Sequence, residues 1–415
     1  MEWKEVRLCD VCSELSDGLH KAPKFIEKGE YIFVNAKNLY NGYILDNDPT
    51  KKTSHEEYLK YKKPLGKHTI LYSIDGTIGN IAKYRGEKCV LGKGACYLNC
   101  NPKIVVSSYL YYQLQSPHFK SYIHLMSTGS TIKHISLKTM REYVFELPSL
   151  TDQRRIASIL SSLDRKIELN NKINADLEEM AQAIFKNWFV DFEPFKNGKF
   201  VDSELGMIPE GWKVSQIADI PHILENGKRP KGGAVEKGIP SVGAEHVKGM
   251  CTYDYSKTKY INCEFAAKLK TGKINGYELM IYKDGGKPGY FIPNFSIFGE
   301  GYPFENCYLN EHVFKLDFDG NKEFNIFCYF FFKTEQIMSY FNAQGAKAAI
   351  PGINKKDVEN IYIFSPDNES VIKFGEFAYP LFKQMLKNAI ENRTLSLLRD
   401  TLLPRLMSGE IEVPQ

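Results

Sequence analysis

Two cysteine pairs and one glycine-rich turn are the parts of the sequence whose residue types and spacing could do chemistry. A CxxC begins at Cys9 and a CxxxC spans Cys96 to Cys100, and such pairs can hold zinc or exchange a disulfide. The pairs lie far apart and no histidines flank them, which argues against a zinc site. The cysteines number nine, an odd count, in a sequence without an export signal, so we interpret them as reduced thiols, most of them small buried side chains. Asp284–Lys287 suggests a metal or phosphate loop, but its similarity to Asp75–Ile78 favours a β-turn between strands.

Catalytic motifs are missing from the sequence. We find no Asn/Asp-Pro-Pro-Tyr/Phe stretch for adenine methylation and no glycine-rich turn for S-adenosylmethionine. A GxxxxGK[ST] phosphate loop and a nuclease-type carboxylate cluster are also missing. We therefore expect a noncatalytic protein that binds no cofactor and no metal.

The composition indicates a well-packed, water-soluble protein. Its 415 residues are 43% hydrophobic, 25% charged and 13% aromatic, a length that predicts two or three domains. No apolar run approaches the roughly 20 residues of a membrane span, and the N-terminus lacks a signal pattern, so we expect a cytoplasmic protein. Membrane, collagen-like and disulfide-scaffold classes are thereby excluded. A net charge of +4 is small for a protein that coats nucleic acid nonspecifically.

The second half of the chain repeats sequence features of the first half. Trp3 corresponds to Trp212, and the turn after Leu71 corresponds to the turn after Leu279, at a nearly constant offset of about 209 residues. A stronger similarity is that the apolar positions of Gln153–Phe189 recur in the segment 218 residues further on. The common order of these matches predicts an internal repeat of one domain followed by one long helix.

Heptad-spaced apolar residues predict that the two long helices share one seam pattern, including its polar interruption. The first helix should be capped by Ser149 or Thr151 and run to about Phe189. In the second we expect a kink or a late start at Pro380, and an end or kink at Pro404. The predicted seam residues are Ile156, Leu163, Asn170, Leu177 and Ile184 in the first helix and Phe374, Leu381, Asn388, Leu395 and Leu402 in the second.

The segments before each helix are rich in Tyr, Phe, Ile, Val and Gly, which predicts mixed domains dominated by strands. The expected fold class is α+β, with two mixed α/β domains separated by two long helices that pair as an antiparallel coiled coil about a pseudo-twofold axis. In that pairing Asn170 should face Asn388 and fix the register; a mildly exposed Asn on a loosely packed seam is the alternative. The predicted boundaries are 1–148 for the first domain, 149–195 for the first helix, 196–366 for the second domain and 367–415 for the second helix and tail.

These segments resemble the specificity subunits of type I restriction-modification systems, and the resemblance covers nearly the whole chain. Leu147–Ala157, the Gly129–Thr131 loop and the C-terminal Leu402–Ile411 are typical of that family. The second junction, Ser365–Asn368, departs from the pattern because it lacks the Gln-Arg-Arg-Ile of the first.

The resemblance implies that two target-recognition domains each read one half of a split, asymmetric DNA sequence. The helices would act as spacer and as docking surface for two methyltransferase subunits, which two restriction/translocase subunits can join. S-adenosylmethionine would then be bound by the methyltransferase. A noncatalytic coiled-coil scaffold that joins two protein-binding domains is the alternative. The missing motifs argue against a third interpretation, the specificity portion of a self-contained restriction-methylation enzyme.

Four polar segments in each half are candidates for DNA contact. In the first half they are Gly18–Lys21, the turn Tyr72–Thr77, Lys93 with its neighbouring glycines, and the loop Ser127–His134. In the second half they are Gly227–Lys231, the turn Tyr282–Lys287, Asn310–His312, and the loop Gln344–Lys347. Glycines let the backbone approach phosphate, and nearby hydroxyl, lysine and histidine side chains supply donors and acceptors. Solvated surface or simple turn structure is the alternative for each segment. The candidate DNA-binding residues are Lys21, Ser73, Asp75, Thr77, Lys93, Ser127, Thr128, Ser130, Thr131, Lys133 and His134 in the first half and Lys228, Arg229, Lys231, Lys283, Lys287, Gln344 and Lys347 in the second.

An aromatic group closes the first helix. Trp188, Phe189, Phe192 and Phe195 either cap the local core or form a hydrophobic docking face for the methyltransferase partner. Because the helices carry the partner contacts in the family, the resemblance favours docking.

Overall fold

The computed structural model describes residues 3–46, 50–129, 133–285, 289–347 and 351–413. The chain divides into two compact units, Met1–Lys166 with Leu395–Gln415, and Ile167–Thr394. Both units mix strands with helices, and the division between them falls within both of the long helices. No helix in these ranges combines the length and apolarity needed to cross a membrane.

The first unit contains eleven strands in its described part. They are β1 (Lys4–Arg7), β2 (Cys12–Asp17), β3 (Tyr31–Val34), β4 (Leu39–Tyr40), β5 (Tyr43–Ile44), β6 (Lys52–Thr53), β7 (Thr69–Ser73), β8 (Ile81–Lys83), β9 (Cys89–Leu91), β10 (Ala95–Cys100) and β11 (Val144–Leu147). Its α-helices are α1 (His55–Tyr61), α2 (Ser107–Gln113), α3 (Pro117–Met126), α4 (Leu137–Glu142) and the start of α5 (Leu150–Phe189).

An antiparallel sheet in the order β2-β10-β7-β8 forms the centre of the first unit. The central strand β7 is buried along its whole length, as expected of a strand that is covered on both faces. A second sheet, β6-β3-β9, lies beside it, with β3 and β9 parallel. Helix α2 buries Tyr109–Gln113 without a break, so it belongs to the core of this unit.

The second unit contains twelve strands in its described part. They are β12 (Phe200–Ser203), β13 (Gly206–Pro209), β14 (Val214–Gln216), β15 (Ile223–Asn226), β16 (Ile239–Val242), β17 (Gly249–Met250), β18 (Lys259–Ile261), β19 (Leu279–Tyr282), β20 (Phe295–Ile297), β21 (Tyr308–Leu309), β22 (Val313–Asp317) and β23 (Tyr362–Phe364). Its α-helices are the remainder of α5, α6 (Cys263–Ala267), α7 (Lys322–Phe332), α8 (Glu335–Gly345), α9 (Lys355–Glu359) and most of α10 (Glu369–Met407). The last residues of α10, from Leu395, belong to the first unit.

A five-stranded sheet, in the order β15-β22-β19-β20-β17, forms the centre of the second unit. Helix α7 packs against β19 and β20 and buries every residue from Phe324 to Phe332. A helix that is apolar on all sides is stable only when it is surrounded by protein. The aromatic run around Ile326 therefore forms the core of this unit.

The long helices begin close to the predicted positions. Ser149 caps α5, because its hydroxyl oxygen accepts from the Asp152 N–H at 3.2 Å. Helix α10 begins at Glu369 and is continuous through Pro380, so the predicted late start is wrong. Pro404 does not end α10, which extends to Met407. A proline removes one hydrogen bond from a helix, and burial of neighbouring apolar residues, such as Phe382 beside Pro380 and Leu403 beside Pro404, offsets that loss.

The predicted seam residues are buried or half-buried. The buried ones are Ile156, Asn170, Phe374 and Asn388. The half-buried ones are Leu163, Leu177, Ile184, Leu381, Leu395 and Leu402. Within the second unit, α5 and α10 contact each other through asparagines. Asn170 Nδ2 donates to Asn392 Oδ1 at 2.9 Å.

The predicted pairing of Asn170 with Asn388 is wrong by one helical turn. Asn388 Nδ2 donates instead to Asn174 Oδ1 at 2.8 Å. The prediction assumed that the middle of the first helix lies opposite the middle of the second. The observed asparagine contacts instead shift the register of the two helices by four residues. The alternative of a mildly exposed Asn170 also fails, because this residue is fully buried.

Candidate nucleic-acid interface

In the first unit, three of the four predicted segments lie next to one another around the turn that follows β7. The Ile74 N–H donates to Gly94 O at 3.0 Å, and the Ile135 N–H donates to Ile74 O at 2.9 Å. The Gly76 N–H donates to Lys133 O at 3.0 Å. These bonds join the turn at Asp75 to the loop of Lys93 and to the loop that ends at His134.

The remaining segment of the first unit lies beside the Lys93 loop. The Leu19 N–H donates to Leu91 O at 2.8 Å. A Cβ atom at Gly18 would lie 2.3 Å from Leu91 O, so only glycine allows this close approach of two backbones. Lys21, three residues further on, is exposed.

Asp75 is the centre of this polar cluster. Its Oδ1 lies 2.6 Å from His134 Nδ1 and its Oδ2 lies 3.9 Å from Lys93 Nζ. The carboxylate is 26% exposed, whereas the imidazole and the ammonium are 40% and 52% exposed. The carboxylate thus lies beneath two cationic or polar groups that solvent, or a ligand, can reach.

The second unit brings its own four segments together. The Gly227 N–H donates to Asn310 O at 3.2 Å, and a Cβ atom at Gly227 would lie 1.6 Å from Leu309 O. The Lys283 N–H donates to His312 O at 2.9 Å. The Gly285 N–H donates to Pro351 O at 2.9 Å, which joins the turn to the segment after α8.

Asp284, a residue of the predicted contact segment at Tyr282–Lys287, is the centre of the second cluster. Its Oδ1 accepts from His312 Nδ1, and its Oδ2 lies 3.3 Å from Lys283 Nζ. Glu311 completes the cluster, with its Oε1 3.3 Å from His312 Nε2 and 3.7 Å from a guanidinium nitrogen of Arg229.

Most of the other predicted contact residues lie at the surface of their units. Ser127 and Gln344 are half-buried. Ser130, Thr131 and Lys287 lie outside the described residues. The exposed ones are Thr77, Thr128, Lys133, Lys228, Arg229, Lys231 and Lys347.

Two of the sequence predictions fail at the structural level. Ser73 is fully buried and its hydroxyl accepts from the Asn80 N–H at 2.7 Å, so it closes the turn and is not at the surface. Gln344 does not lie in a loop, because α8 extends through Gly345. Gly345 is needed there since a Cβ atom would lie 2.4 Å from the ring of Phe291.

The cysteines are all free thiols. Burial raises the pKa of Cys96 and of Cys100 to about 12, so these thiols stay protonated and are poor metal ligands at neutral pH. Within the described residues, no group of three or more His, Cys, Asp or Glu side chains is arranged to hold a metal ion.

The aromatic group at the end of α5 packs mainly into the second unit. Phe189 is buried against Phe327 and Phe374, and Phe195 lies edge-on to Trp212 with ring centroids 5.0 Å apart. Phe189 and Phe192 also line a cleft of about 570 Å³. Capping of the local core is therefore the main role of this group, and the cleft beside it is open.

Comparison with known proteins identifies the family. A family model described as a type I restriction modification DNA specificity domain matches residues 1–179. The type I restriction enzyme MjaIX specificity subunit of Methanocaldococcus jannaschii is 31% identical, in an alignment that covers all of this chain and 94% of that protein. This chain belongs to the type I restriction enzyme specificity subunits. DNA sequence specificity is accordingly its function.

Two further specificity subunits agree with this assignment. The HindI specificity subunit of Haemophilus influenzae is 24% identical, over 99% of this chain and 100% of that protein. The crystal structure of the type I specificity subunit from M. genitalium superimposes with a TM-score of 0.56 at 16% identity, covering 98% of this chain and 96% of that one. This specificity subunit therefore shares its fold with a solved relative.

Proposed function

We propose that each unit of this specificity subunit reads one half of a split, asymmetric DNA target. The observation that carries the proposal is that segments far apart in sequence meet at one polar cluster in each unit. Each cluster places an aspartate beside a histidine and a lysine. Exposed Lys133 in the first unit and Arg229 in the second can contact phosphates, which fix the register of a protein on DNA.

The asymmetry of the target follows from the difference between the clusters. The histidine of the first cluster lies in the loop before α4, whereas that of the second precedes β22. Among the described residues, Glu311 adds a second carboxylate to the second cluster, and Asp75 is the carboxylate that contacts His134 and Lys93 in the first. Different donors and acceptors select different base edges, so the two half-sites should have different sequences.

We propose further that residues 1–148 and 196–366 are the two recognition domains, and that residues 149–195 and 367–415 form an antiparallel coiled-coil spacer. Two hydrogen bonds support this arrangement: Asn170 pairs with Asn392 and Asn174 with Asn388, so the order along one helix is opposite to that along the other. At an offset of 218 residues, Asn170 corresponds to Asn388 and Asn174 to Asn392, so the repeat exchanges the two pairs. That exchange is expected of an internal repeat with a pseudo-twofold axis.

Two clefts are proposed as docking positions for two methyltransferase subunits. The cleft in the second unit includes Phe189 and residues 334–336, and a cleft of about 680 Å³ in the first unit includes Met407 and residues 116–118. The same offset of 218 residues relates these lining positions. Matching clefts at the ends of α5 and α10 suit two copies of one partner.

We assign the chemistry of the complex to the partner subunits. In this proposal the methyltransferase subunits bind S-adenosylmethionine and modify the DNA, and two restriction/translocase subunits join the assembly. The specificity subunit itself is noncatalytic. Its contribution is to place the methyltransferases on a chosen sequence.

Selection from random DNA tests the reading function directly. The specificity subunit co-purified with its methyltransferase should enrich a motif with two unequal halves separated by a gap of fixed length. The methyltransferase alone is the control and should enrich no such motif. Enrichment of a single uninterrupted motif, or of none, would contradict the proposal.

A further inference from the structure

The two aspartates at the centres of the clusters occupy corresponding positions, 209 residues apart. Each accepts a hydrogen bond from the Nδ1 of a histidine, His134 for Asp75 and His312 for Asp284. In both cases the histidine comes from a different segment of the chain, 59 residues away in the first unit and 28 in the second. The same pair of groups is thus assembled from different parts of the sequence in the two units.

A carboxylate in this position controls the orientation of the imidazole. Because a carboxylate only accepts, the Nδ1 of the histidine must carry the proton. The Nε2 atom is then an acceptor in the neutral ring, and the ring is held in one orientation. The ring is oriented in the same way in both units, since both contacts use Nδ1. In the second unit, however, His312 Nε2 lies 3.3 Å from Glu311 Oε1, so a second carboxylate faces that atom and the acceptor role of Nε2 applies to His134 alone.

Each aspartate also lies next to an ammonium group. Lys93 Nζ is 3.9 Å from Asp75, and Lys283 Nζ is 3.3 Å from Asp284. Lys283 Nζ also donates to Glu311 O at 3.1 Å, so it is held at two points. The lysine offsets the charge of the carboxylate, which would otherwise repel a DNA phosphate.

The aspartates are less exposed to solvent than the histidines that they orient. The aspartates are only 26% and 25% exposed, whereas the histidines are 40% and 43% exposed. A ligand can therefore reach the imidazole rings more readily than the carboxylates that orient them.

We propose that Asp75 and Asp284 are positioning residues, each of which sets the specificity of one half of the DNA target by orienting a histidine and a lysine of adjacent loops. The inference rests on the proposed reading of one half-site by each unit. It adds that specificity in each half depends on one carboxylate beneath the contact surface.

The test uses the full-length chain co-expressed with its methyltransferase, and measures the methylated fraction of genomic sites by sequencing. Sites that match the target are compared with sites that carry one mismatch in either half. The variants are Asp75→Ala, Asp284→Ala and the corresponding changes to Asn. Glu30→Ala is the control, because Glu30 forms an ion pair with Lys88 between two largely exposed side chains.

Asp75→Ala should lower discrimination against mismatches about tenfold in one half of the target and leave the other half unchanged, since a single mismatch typically changes binding by about that factor or more. Asp284→Ala should do the same in the opposite half. The unaffected half shows that the protein is folded. The Asn variants keep an oxygen that accepts from Nδ1, so they should retain more discrimination than the Ala variants, and Glu30→Ala should match the unmodified protein.

Unchanged discrimination in both Ala variants would overturn the positioning role. An equal loss in both halves would also overturn it, because that result indicates a general loss of stability or affinity. Asn variants that discriminate no better than Ala variants would refute the orientation of the imidazole by the carboxylate. If the unmodified protein produced no split motif, the proposed function itself would fail, and this outcome is distinct from the others.

Discussion

Asp164 joins three elements of the first unit through one carboxylate. Its Oδ2 accepts from the Tyr112 hydroxyl at 2.6 Å and its Oδ1 accepts from an Arg399 guanidinium nitrogen at 2.9 Å. Burial, with a further contribution from Asp164, raises the pKa of Tyr112, so its hydroxyl stays protonated and donates. The same carboxylate pairs with the guanidinium of Arg399, a partly buried residue of α10.

Asp164→Ala should therefore destabilise the first unit. The change leaves Tyr112 without its acceptor and the partly buried Arg399 with only the exposed Asp400, and the loss of a buried hydrogen-bond partner typically costs about 1–3 kcal/mol. Asp400→Ala is the matched control, because Asp400 also contacts Arg399 but is 61% exposed, and such surface ion pairs contribute about 0–1 kcal/mol. Denaturant unfolding followed by circular dichroism measures both. Equal losses in the two variants would refute the central role of Asp164.

Side-chain pairs of this kind are poorly predictable from sequence. His134 and Lys93 were selected as single polar residues near glycines, but their common contact with Asp75 depends on the fold of segments up to 59 residues apart. The prediction that Ser73 contacts DNA fails because its side chain is buried and its hydroxyl accepts from a backbone N–H inside the turn. The loop predicted at Gln344 fails because a glycine inside a helix can serve close packing, here against Phe291.

At the scale of elements, the long helices were predicted well because heptad spacing and capping residues are local signals. Helix α5 covers Leu150–Phe189, within a few residues of the prediction. The register between the helices was not predictable in this way. It is set by which asparagines meet, and Asn170 meets Asn392 one turn away from its predicted partner.

Matched shortening of both helices should change the gap between half-sites. Deletion of residues 165–171 and 391–397 removes one heptad from each helix and retains the Asn174–Asn388 and Asp164–Arg399 contacts. Seven residues of helix span about 10 Å, or about three base pairs of DNA. The gap in the methylated motif should shorten by about that number, with both half-sites unchanged.

Deletion of residues 165–171 alone is the control for this experiment. It shifts one helix against the other and should abolish methylation of the split motif. If the matched deletion preserved methylation with an unaltered gap, the helices would not set the spacing.

At the scale of the whole molecule, the two clefts predict the stoichiometry of the complex. Val190 lines the cleft of the second unit and is 47% exposed, so a large charged side chain there should block docking without disturbing the core. Val190→Arg should reduce the bound methyltransferase from two copies to one, as measured by native mass spectrometry. Val201→Arg, at an exposed valine outside that cleft, is the control. Two bound copies in the Val190 variant would exclude this docking position.

We expect each of the two units of this chain to read one half of a split DNA target. The most direct test is a genome-wide map of adenine methylation in cells that co-express the chain with its methyltransferase. We predict one new motif, made of two unequal half-sites separated by a fixed gap, and no such motif in cells that express the methyltransferase alone. Absence of new methylation, with both proteins soluble and co-purifying, would contradict the claim.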